Sequence, residues 1–373
     1  MKTAPSREHS TKRLTRRSLL GSLGALGLGA SACTAQTPGV QEGQASDSGL
    51  KLTLAMIENY DRTGPVLNGT VKLDGIDPIP IKAGPAELFR QVAQEAAYDI
   101  SEMSTSTYMI LKSQGDDRYT GLPVFPSRNF RHGYVFVNDH SGIIRPEDLA
   151  GKRIGVPEYQ TTAALWQRTF LQDDYDVTAE QIDWFEGGLD EPNAPERFHV
   201  DVPSNIRLSR IGEGETLSKL LEDGDLDAVV GPAAPECFGR ANHIARLFPD
   251  YRQVEQDYYR RTGFFPIMHM VVVRSEVYRA NPWVAQSIFQ AFQRAKTLGF
   301  ERLNQTWDLP CALPWIMSDL EEIETIFDGD HWPYGIAENN ALLERMTQAS
   351  YEQGLSKRKL EVQELFAKET WGS

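Results

Sequence analysis

The chain has 373 residues, of which 40% are hydrophobic and 24% charged, so it is long enough for one large or two medium globular domains. Its net charge of −14 at pH 7 argues against nucleic-acid binding, because phosphate backbones are bound by positively charged surfaces. The three cysteines form no Cys-x-x-Cys pair and the histidines are scattered, so we expect no metal site.

The first 32 residues have the pattern of a twin-arginine export signal. The segment TRRSLL at residues 15–20 precedes an apolar run of roughly 14 residues, whereas a membrane span needs about 20. Small residues end this run, so either simple cleavage after Ala32 or lipidation of Cys33 fits. Residues 1–32 carry +5, which leaves −19 on the remainder. We predict an exported protein, periplasmic or at the cell surface, with residues 33–49 as a flexible tether.

Short strands alternate with helices in the first part of the mature chain. Strand patterns occupy residues 51–57, 98–101, 122–125 and 134–137, and residues 86–97 have helical spacing. This alternation predicts an α/β fold with largely parallel sheets.

The segment 138–266 has the pattern of a separate βαβ unit inserted into a larger first domain. It contains strand patterns at 153–157 and 226–230, with a helix from about Thr161 to Leu171 between them. A strand at 268–273 returns to the first domain, and helices dominate from about residue 282. The sequence therefore predicts two lobes around a cleft, with lobe 1 formed by residues 50–137 plus 267–373 and lobe 2 by residues 138–266.

Polar side chains follow two predicted strands of lobe 1. Tyr60 and Arg62 come after the first strand, where ligands of open parallel sheets bind, although Arg62 could instead pair with the neighbouring Asp61. Ser104 and Thr105 begin a helix, so they either cap it or help to bind an anion there. Glu102 precedes them and is a candidate for moving a proton.

The same arrangement recurs in lobe 2. Glu158 follows a strand, and Thr161 and Thr162 begin the next helix. If the two polar helix starts, one in each lobe, face each other, they form a polar pocket between the lobes.

A basic cluster lies within the segment FPSRNFRH at residues 125–132. Arg128 and Arg131 could hold carboxylates with their forked guanidinium groups, and His132 could donate to a carboxylate or transfer a proton near neutral pH. The alternative is that the arginines pack against acidic surface and His132 is an interior residue. Arg261 and His269, near the predicted return to lobe 1, are further ligand-binding candidates.

Several long motifs resemble the 4,5-dihydroxyphthalate decarboxylase family over roughly residues 51–368. They are YDRT, DISEMSTSTYM, FPSRNFRH, EDLAGKRIGVPEYQTTAALW, FPDYR, YYRRTGFFPIMH and DHWPYG. The resemblance implies a type 2 periplasmic-binding-protein-like fold, related to the substrate-binding proteins of ABC transporters. It also implies non-oxidative loss of CO₂ from an aromatic dicarboxylate without an organic cofactor.

Two functions remain open from the sequence. In a decarboxylase, Arg62, Arg128 or Arg131 would orient the carboxylates of a small aromatic acid, and His132, Glu102 or Glu158 would handle protons. An exported (lipo)protein that delivers an organic anion to an ABC permease would use the same cleft for binding alone.

Overall fold

The computed structural model describes residues 49–58, 60–192, 198–305 and 307–373. The predicted export signal, the cleavage site and Cys33 lie outside these residues. Among the helices that are described, none has the length and apolar character needed to cross a membrane.

Eleven strands are present in the described ranges. They are β1 (Leu50–Ile57), β2 (Ile76–Ala83), β3 (Ile100–Ser104), β4 (Tyr119–Arg128), β5 (Val135–Asn138), β6 (Arg153–Val156), β7 (Asp183–Glu186), β8 (Arg207–Arg210), β9 (Ala228–Val230), β10 (Ile244–Arg246) and β11 (Ile267–Arg274).

Ten α-helices accompany these strands in the same ranges. They are α1 (Gly64–Leu67), α2 (Pro85–Arg90), α3 (Thr105–Ser113), α4 (Thr162–Tyr175), α5 (Leu217–Asp223), α6 (Tyr251–Thr262), α7 (Ser275–Ala280), α8 (Trp283–Leu303), α9 (Ile316–Phe327) and α10 (Asn340–Glu352). A π-helical turn, Gln91–Glu95, continues α2, and a 3₁₀ turn, His132–Tyr134, precedes β5.

The strands form two sheets, which confirms the predicted α/β class. The first sheet has the order β2-β1-β3-β11-β4 and the second has the order β10-β5-β9-β6-β7-β8. Strand β1 runs parallel to β2 and β3, and β6 runs parallel to β7 and β9. The sheets are less parallel than expected, because β11 is antiparallel to β3 and β4, and β5 is antiparallel to β9 and β10.

The position of β5 differs from the expected lobe boundary. Residues 134–137 were assigned to lobe 1, but β5 pairs with β9 and β10 and therefore belongs to the second sheet. The chain thus passes from the first sheet to the second through the turn 129–134, before residue 135. The described residues form one compact unit, so the division into lobes stays a prediction.

Strand β11 occupies an interior position in the first sheet, between β3 and β4. Its side chains are buried on both faces at Ile267, Met268 and Met270–Val273, as expected for an apolar strand covered on both sides. His269 is the one polar residue within this run, and it therefore needs a polar partner inside the protein.

Candidate functional site

Helices α3 and α4 begin next to each other. Ser104 ends β3 and caps α3 by accepting a hydrogen bond from the Thr107 N–H, and Thr161 caps α4 by accepting one from the Ala164 N–H. The Thr162 hydroxyl lies 2.9 Å from the Ser104 hydroxyl and accepts the Ser106 N–H at 3.1 Å. The two polar helix starts predicted from the sequence therefore meet, and they concentrate N–H donors at one place.

A cavity of about 180 Å³ opens beside the two helix starts. Seven polar and seven apolar residues line it. The polar members are Ser104, Thr107, Arg131, Glu158, Thr161, Thr162 and His269, and the others are Pro85, Phe89, Ala93, Ala163, Phe198, Pro232 and Met268. The cavity thus brings together six of the predicted site residues: Ser104, Arg131, Glu158, Thr161, Thr162 and His269.

Arg131 supplies the positive charge of this cavity. The residue is 7% exposed, its Nη1 donates to the Pro232 carbonyl at 3.1 Å and its Nε lies 3.3 Å from the Met268 sulfur. Within the described ranges no carboxylate forms an ion pair with it. Burial lowers the pKa of Arg131 to about 10, with Tyr134 and Glu255 opposing the shift. A buried guanidinium with only neutral hydrogen-bond partners favours the binding of an anion.

His269, which is half-buried, and the buried Glu102 form a pair at the other side of the cavity. Nδ1 of His269 lies 2.7 Å from Oε1 of Glu102, which is fully buried and whose Oε2 accepts the Ile57 N–H at 3.1 Å. The imidazole also packs edge-on against Phe89, with 4.7 Å between ring centroids. Because Glu102 engages Nδ1, the nitrogen that remains for a ligand is Nε2. Such a pair can hold and move a proton at a defined position.

Tyr60 lies next to Glu102 and does not line the cavity. Burial and the charge of Glu102 raise the pKa of Tyr60 to about 12, while Ser127 and Arg62 oppose the shift. The phenol therefore keeps its proton near neutral pH, and it stabilises the Glu102 carboxylate as a hydrogen-bond donor.

Arg62 does not line the cavity either. Its Nη1 pairs with Asp61 at 2.9 Å, its Nε donates to the Pro126 carbonyl at 2.6 Å, and its guanidinium stacks on Tyr60 and Trp332. This arrangement matches the alternative interpretation of the sequence, in which Arg62 pairs with the neighbouring Asp61.

Three further predicted residues lie away from the cavity. Arg128 is buried and donates to the Phe265 and Pro333 carbonyls at 2.8 and 2.7 Å, and burial lowers its pKa to about 9. It therefore joins two distant segments of the chain. Thr105 is buried in the first turn of α3, and Arg261 pairs with Asp174 at 2.7 Å on the surface.

His132 is an interior residue. It is 1% exposed and stacks on Phe170 with 4.0 Å between ring centroids, while Phe248 and Tyr258 also contact it. Neither ring nitrogen has a hydrogen-bond partner among the described residues. Burial lowers its pKa to about 3. The structure therefore places the predicted proton carrier outside the cavity, in a neutral state, because an aromatic cluster disfavours the charged imidazolium.

We expect His132→Phe to remove part of the acid sensitivity of the fold. The pKa of His132 rises from about 3 when folded to the ordinary value of 6.5 when unfolded, so its contribution to stability is present above pH 6.5 and is lost as pH falls. The loss is about 1.4 kcal/mol per pH unit between these values. Chemical denaturation at pH 7.0, 5.5 and 4.5 measures it, with His140→Gln, whose side chain is 80% exposed, as control. Equal pH dependence in wild type and His132→Phe would contradict the prediction.

Sequence reasoning missed the apolar wall of the cavity. Phe89 and Met268 were read as parts of a helix and a strand, and Phe198 and Pro232 lie in loops. A usable signal was present only at Met268, which precedes His269, the single polar residue in the apolar run 267–273 of β11.

Comparison with known proteins gives two curated relatives. The chain is 40% identical over 320 residues to a 4,5-dihydroxyphthalate decarboxylase of Comamonas testosteroni, covering 86% of this chain and 97% of the relative. It is 40% identical over 216 residues to the enzyme of the same name from Pseudomonas putida, covering 58% and 83%. No protein-family model matches the chain.

Solved structures with detectable similarity are more distant. The periplasmic aliphatic sulphonate binding protein SsuA from Escherichia coli is 14% identical, with a TM-score of 0.47 and coverage of 87% of this chain and 100% of that chain. The desulfurization enzyme DSZB is 15% identical, with a TM-score of 0.40 and coverage of 87% and 98%.

Proposed function

The chain belongs to the 4,5-dihydroxyphthalate decarboxylase family, and we propose that it binds a small aromatic dicarboxylate in the cavity beside α3 and α4 and removes one carboxyl group as CO₂. The observation that carries this proposal is the pairing of two functions in one cavity. Arg131 offers a positive charge for a carboxylate, and the His269–Glu102 pair offers a proton site.

One carboxylate of the substrate would bind at Arg131. The guanidinium can form two parallel hydrogen bonds to a carboxylate, and the nearby starts of α3 and α4 add favourable helix dipoles. The flat ring would then lie against Phe89 and Met268, which supply an apolar wall.

The reaction needs one proton for each CO₂ released. In 4,5-dihydroxyphthalate each hydroxyl group is para to a carbon that bears a carboxylate. When that hydroxyl loses its proton, an electron pair moves through the ring to the para carbon, which takes up a proton and becomes tetrahedral. The bond to the carboxylate then breaks and CO₂ leaves. The electron pair of that bond restores the aromatic ring and the phenolate oxygen, which takes back the proton it had lost. The net change is the replacement of a carboxylate by hydrogen.

His269 would carry the proton for the ring carbon. Its Nε2 is the nitrogen left for the cavity, and the Glu102 carboxylate at Nδ1 stabilises the charged imidazolium before transfer. Glu158, in the loop between β6 and α4, would accept the phenolic proton and return it at the end, and its own carboxylate is oriented by Gln160 at 2.9 Å. No step of this scheme requires an oxidant.

A second candidate function is solute binding. The twin-arginine pattern at residues 15–20 favours it, since an exported protein, with or without a lipid on Cys33, could deliver an organic carboxylate to an ABC permease. In that case the anion site at Arg131 is used and the proton site is not.

Incubation of the purified protein with 4,5-dihydroxyphthalate separates these functions. Released CO₂ and the heat of binding are measured in parallel, and phthalate, which has no para hydroxyl, serves as a ligand that cannot react by this route. Saturable binding together with CO₂ release supports decarboxylation. Saturable binding with no CO₂ release supports the solute-binding alternative, and absence of binding contradicts both.

A further inference from the structure

The backbone turn that presents Arg131 is held by one carboxylate from α6. Oε1 of Glu255 accepts the Gly133 N–H at 3.1 Å, and the same carboxylate also accepts the His132 N–H. These two N–H groups directly follow Arg131 in the chain. The conformation at Arg131, and hence the direction of its side chain, therefore depends on Glu255.

The opposite side of this turn is also fixed. The Arg246 guanidinium donates to the Gly133 carbonyl and stacks on Tyr251. A Cβ at position 133 would lie 2.8 Å from the Tyr251 ring, so only glycine allows α6 to approach this closely. The turn is thus held by contacts with both α6 and β10, and Glu255 is the acidic residue among these contacts.

We propose that Glu255 is the positioning residue for Arg131 and that binding of an anion at Arg131 is coupled to uptake of a proton by Glu255. This inference rests on the anion site of the proposed function, and it adds a regulatory property to that site. Glu255 does not line the cavity, so it acts through the turn and through its charge rather than by touching the ligand.

The surroundings of Glu255 support this coupling. Arg131 on the turn and Arg246 on β10 are the cations whose charges act on it, and burial opposes them strongly enough to raise the pKa of Glu255 to about 7. The charged and titratable groups that share its groove are Tyr251, Arg252 and Tyr259 on α6 with Asp319 and Glu322 on α9. Arg252 is paired with Asp319 at 2.7 Å and with Glu322, which leaves Arg131 and Arg246 as the unpaired cations next to Glu255 in this part of the described structure.

The sign of the coupling follows from charge. The negative charge of an anion bound at Arg131 offsets the positive charge that stabilises ionised Glu255. Anion binding therefore raises the pKa of Glu255 further. By linkage, protonated Glu255 leaves Arg131 more available to the anion. Anion binding should therefore be tighter below pH 7 than above it. Glu255 also faces a groove of about 470 Å³ between α6 and α9, so its proton can exchange with solvent without passing through the ligand cavity.

Calorimetry with phthalate tests the coupling. For the wild type we expect affinity to be roughly tenfold higher at pH 6 than at pH 8, within the usual range of coupling between sites. At pH 7, titrations in two buffers with different ionisation heats should show proton uptake. Glu255→Gln should lose most of this pH dependence and the proton uptake. Asp257→Asn is the matched control, because Asp257 lies on the same helix but on the surface, paired with Arg260 at 2.7 Å. Equal proton uptake in wild type and Glu255→Gln overturns the coupling.

A second measurement tests the positioning role without any ligand. Hydrogen exchange of the amides at residues 131–134 should show clear protection in the wild type and in Glu255→Gln, whose amide oxygen can still accept. In Glu255→Ala this protection should fall by roughly tenfold or more, as expected for losing a hydrogen bond of about 1.4 kcal/mol. Unchanged protection in Glu255→Ala overturns the positioning role. If protection behaves as expected but phthalate does not bind to the wild type, the anion site fails instead, and the coupling fails with it.

Discussion

Replacement of Arg131 by alanine is expected to weaken binding of 4,5-dihydroxyphthalate by about 100-fold or more. Truncating one member of a buried, hydrogen-bonded charge pair typically costs 2–5 kcal/mol. Here the guanidinium is 7% exposed, and its partners in the free protein are a carbonyl oxygen and a thioether sulfur. No carboxylate of the described residues forms an ion pair with it, so a carboxylate of the ligand can take that place. Isothermal titration calorimetry at pH 6.5 measures the change directly.

Two variants test whether the loss of affinity is specific to the guanidinium at position 131. Arg131→Lys keeps a positive charge but loses the planar fork, so its affinity should lie between those of wild type and Arg131→Ala. Arg261→Ala removes an arginine that is paired with Asp174 on the surface, and it should bind like the wild type. If Arg131→Ala folds normally and binds the dicarboxylate as tightly as the wild type does, the anion site has been placed wrongly.

The segment FPSRNFRH shows what the sequence could and could not predict. Its composition predicted a cation of this segment at the ligand site, and Arg131 lines the cavity. It could not indicate which one, because the choice depends on where β4 ends. Strand β4 ends at Arg128, whose guanidinium meets the carbonyls of Phe265 and Pro333, residues more than 130 positions away. Arg131 follows three residues later, in the turn that leads to the second sheet, and it faces the cavity.

His132 illustrates a different limit. A histidine beside two arginines suggests proton chemistry, but the neighbours that decide its state are Phe170, Phe248 and Tyr258. These come from other elements of the chain, and their contact with His132 is a result of folding. The aromatic cluster lowers the pKa of His132 to about 3, so the alternative of an interior histidine describes this residue, and local sequence could not decide between the two.

The helix starts were more predictable than the proton site. A serine or threonine directly after a strand is a local signal for a helix cap, and Ser104 and Thr161 both act as caps. The His269–Glu102 pair joins residues 167 positions apart, through the antiparallel pairing of β11 with β3. That pairing was not predicted, because the strand at 268–273 was expected only to return to the first lobe, without a neighbour. A single histidine within an otherwise apolar strand was the available signal.

Replacement of His269 by glutamine is expected to abolish most decarboxylation while leaving the binding of the dicarboxylate nearly unchanged. General acid catalysis by a positioned side chain is typically worth 10²–10⁴-fold, so we expect kcat to fall by about that factor. Glutamine retains a polar group of similar length but cannot donate a proton to carbon. Glu102→Gln should reduce kcat less, by about 10- to 100-fold, because it removes only the charge that orients and stabilises the imidazolium. Release of CO₂ is followed under steady-state conditions, with binding measured by calorimetry on the same samples.

The pair of variants also decides between the two candidate functions. A protein that only delivers a carboxylate has no need for a buried carboxylate behind an imidazole, since the ligand already finds a cation at Arg131. If wild type releases CO₂ and both variants lose kcat without losing affinity, the His269–Glu102 pair acts on the transition state rather than on the bound ground state. If His269→Gln instead weakens binding and the wild type shows no turnover, His269 is a hydrogen-bond donor to the bound solute, and the cavity belongs to a binding protein. Because Tyr60 and the Ile57 N–H also contact Glu102, equal unfolding free energies of the two variants and the wild type are needed before either conclusion is drawn.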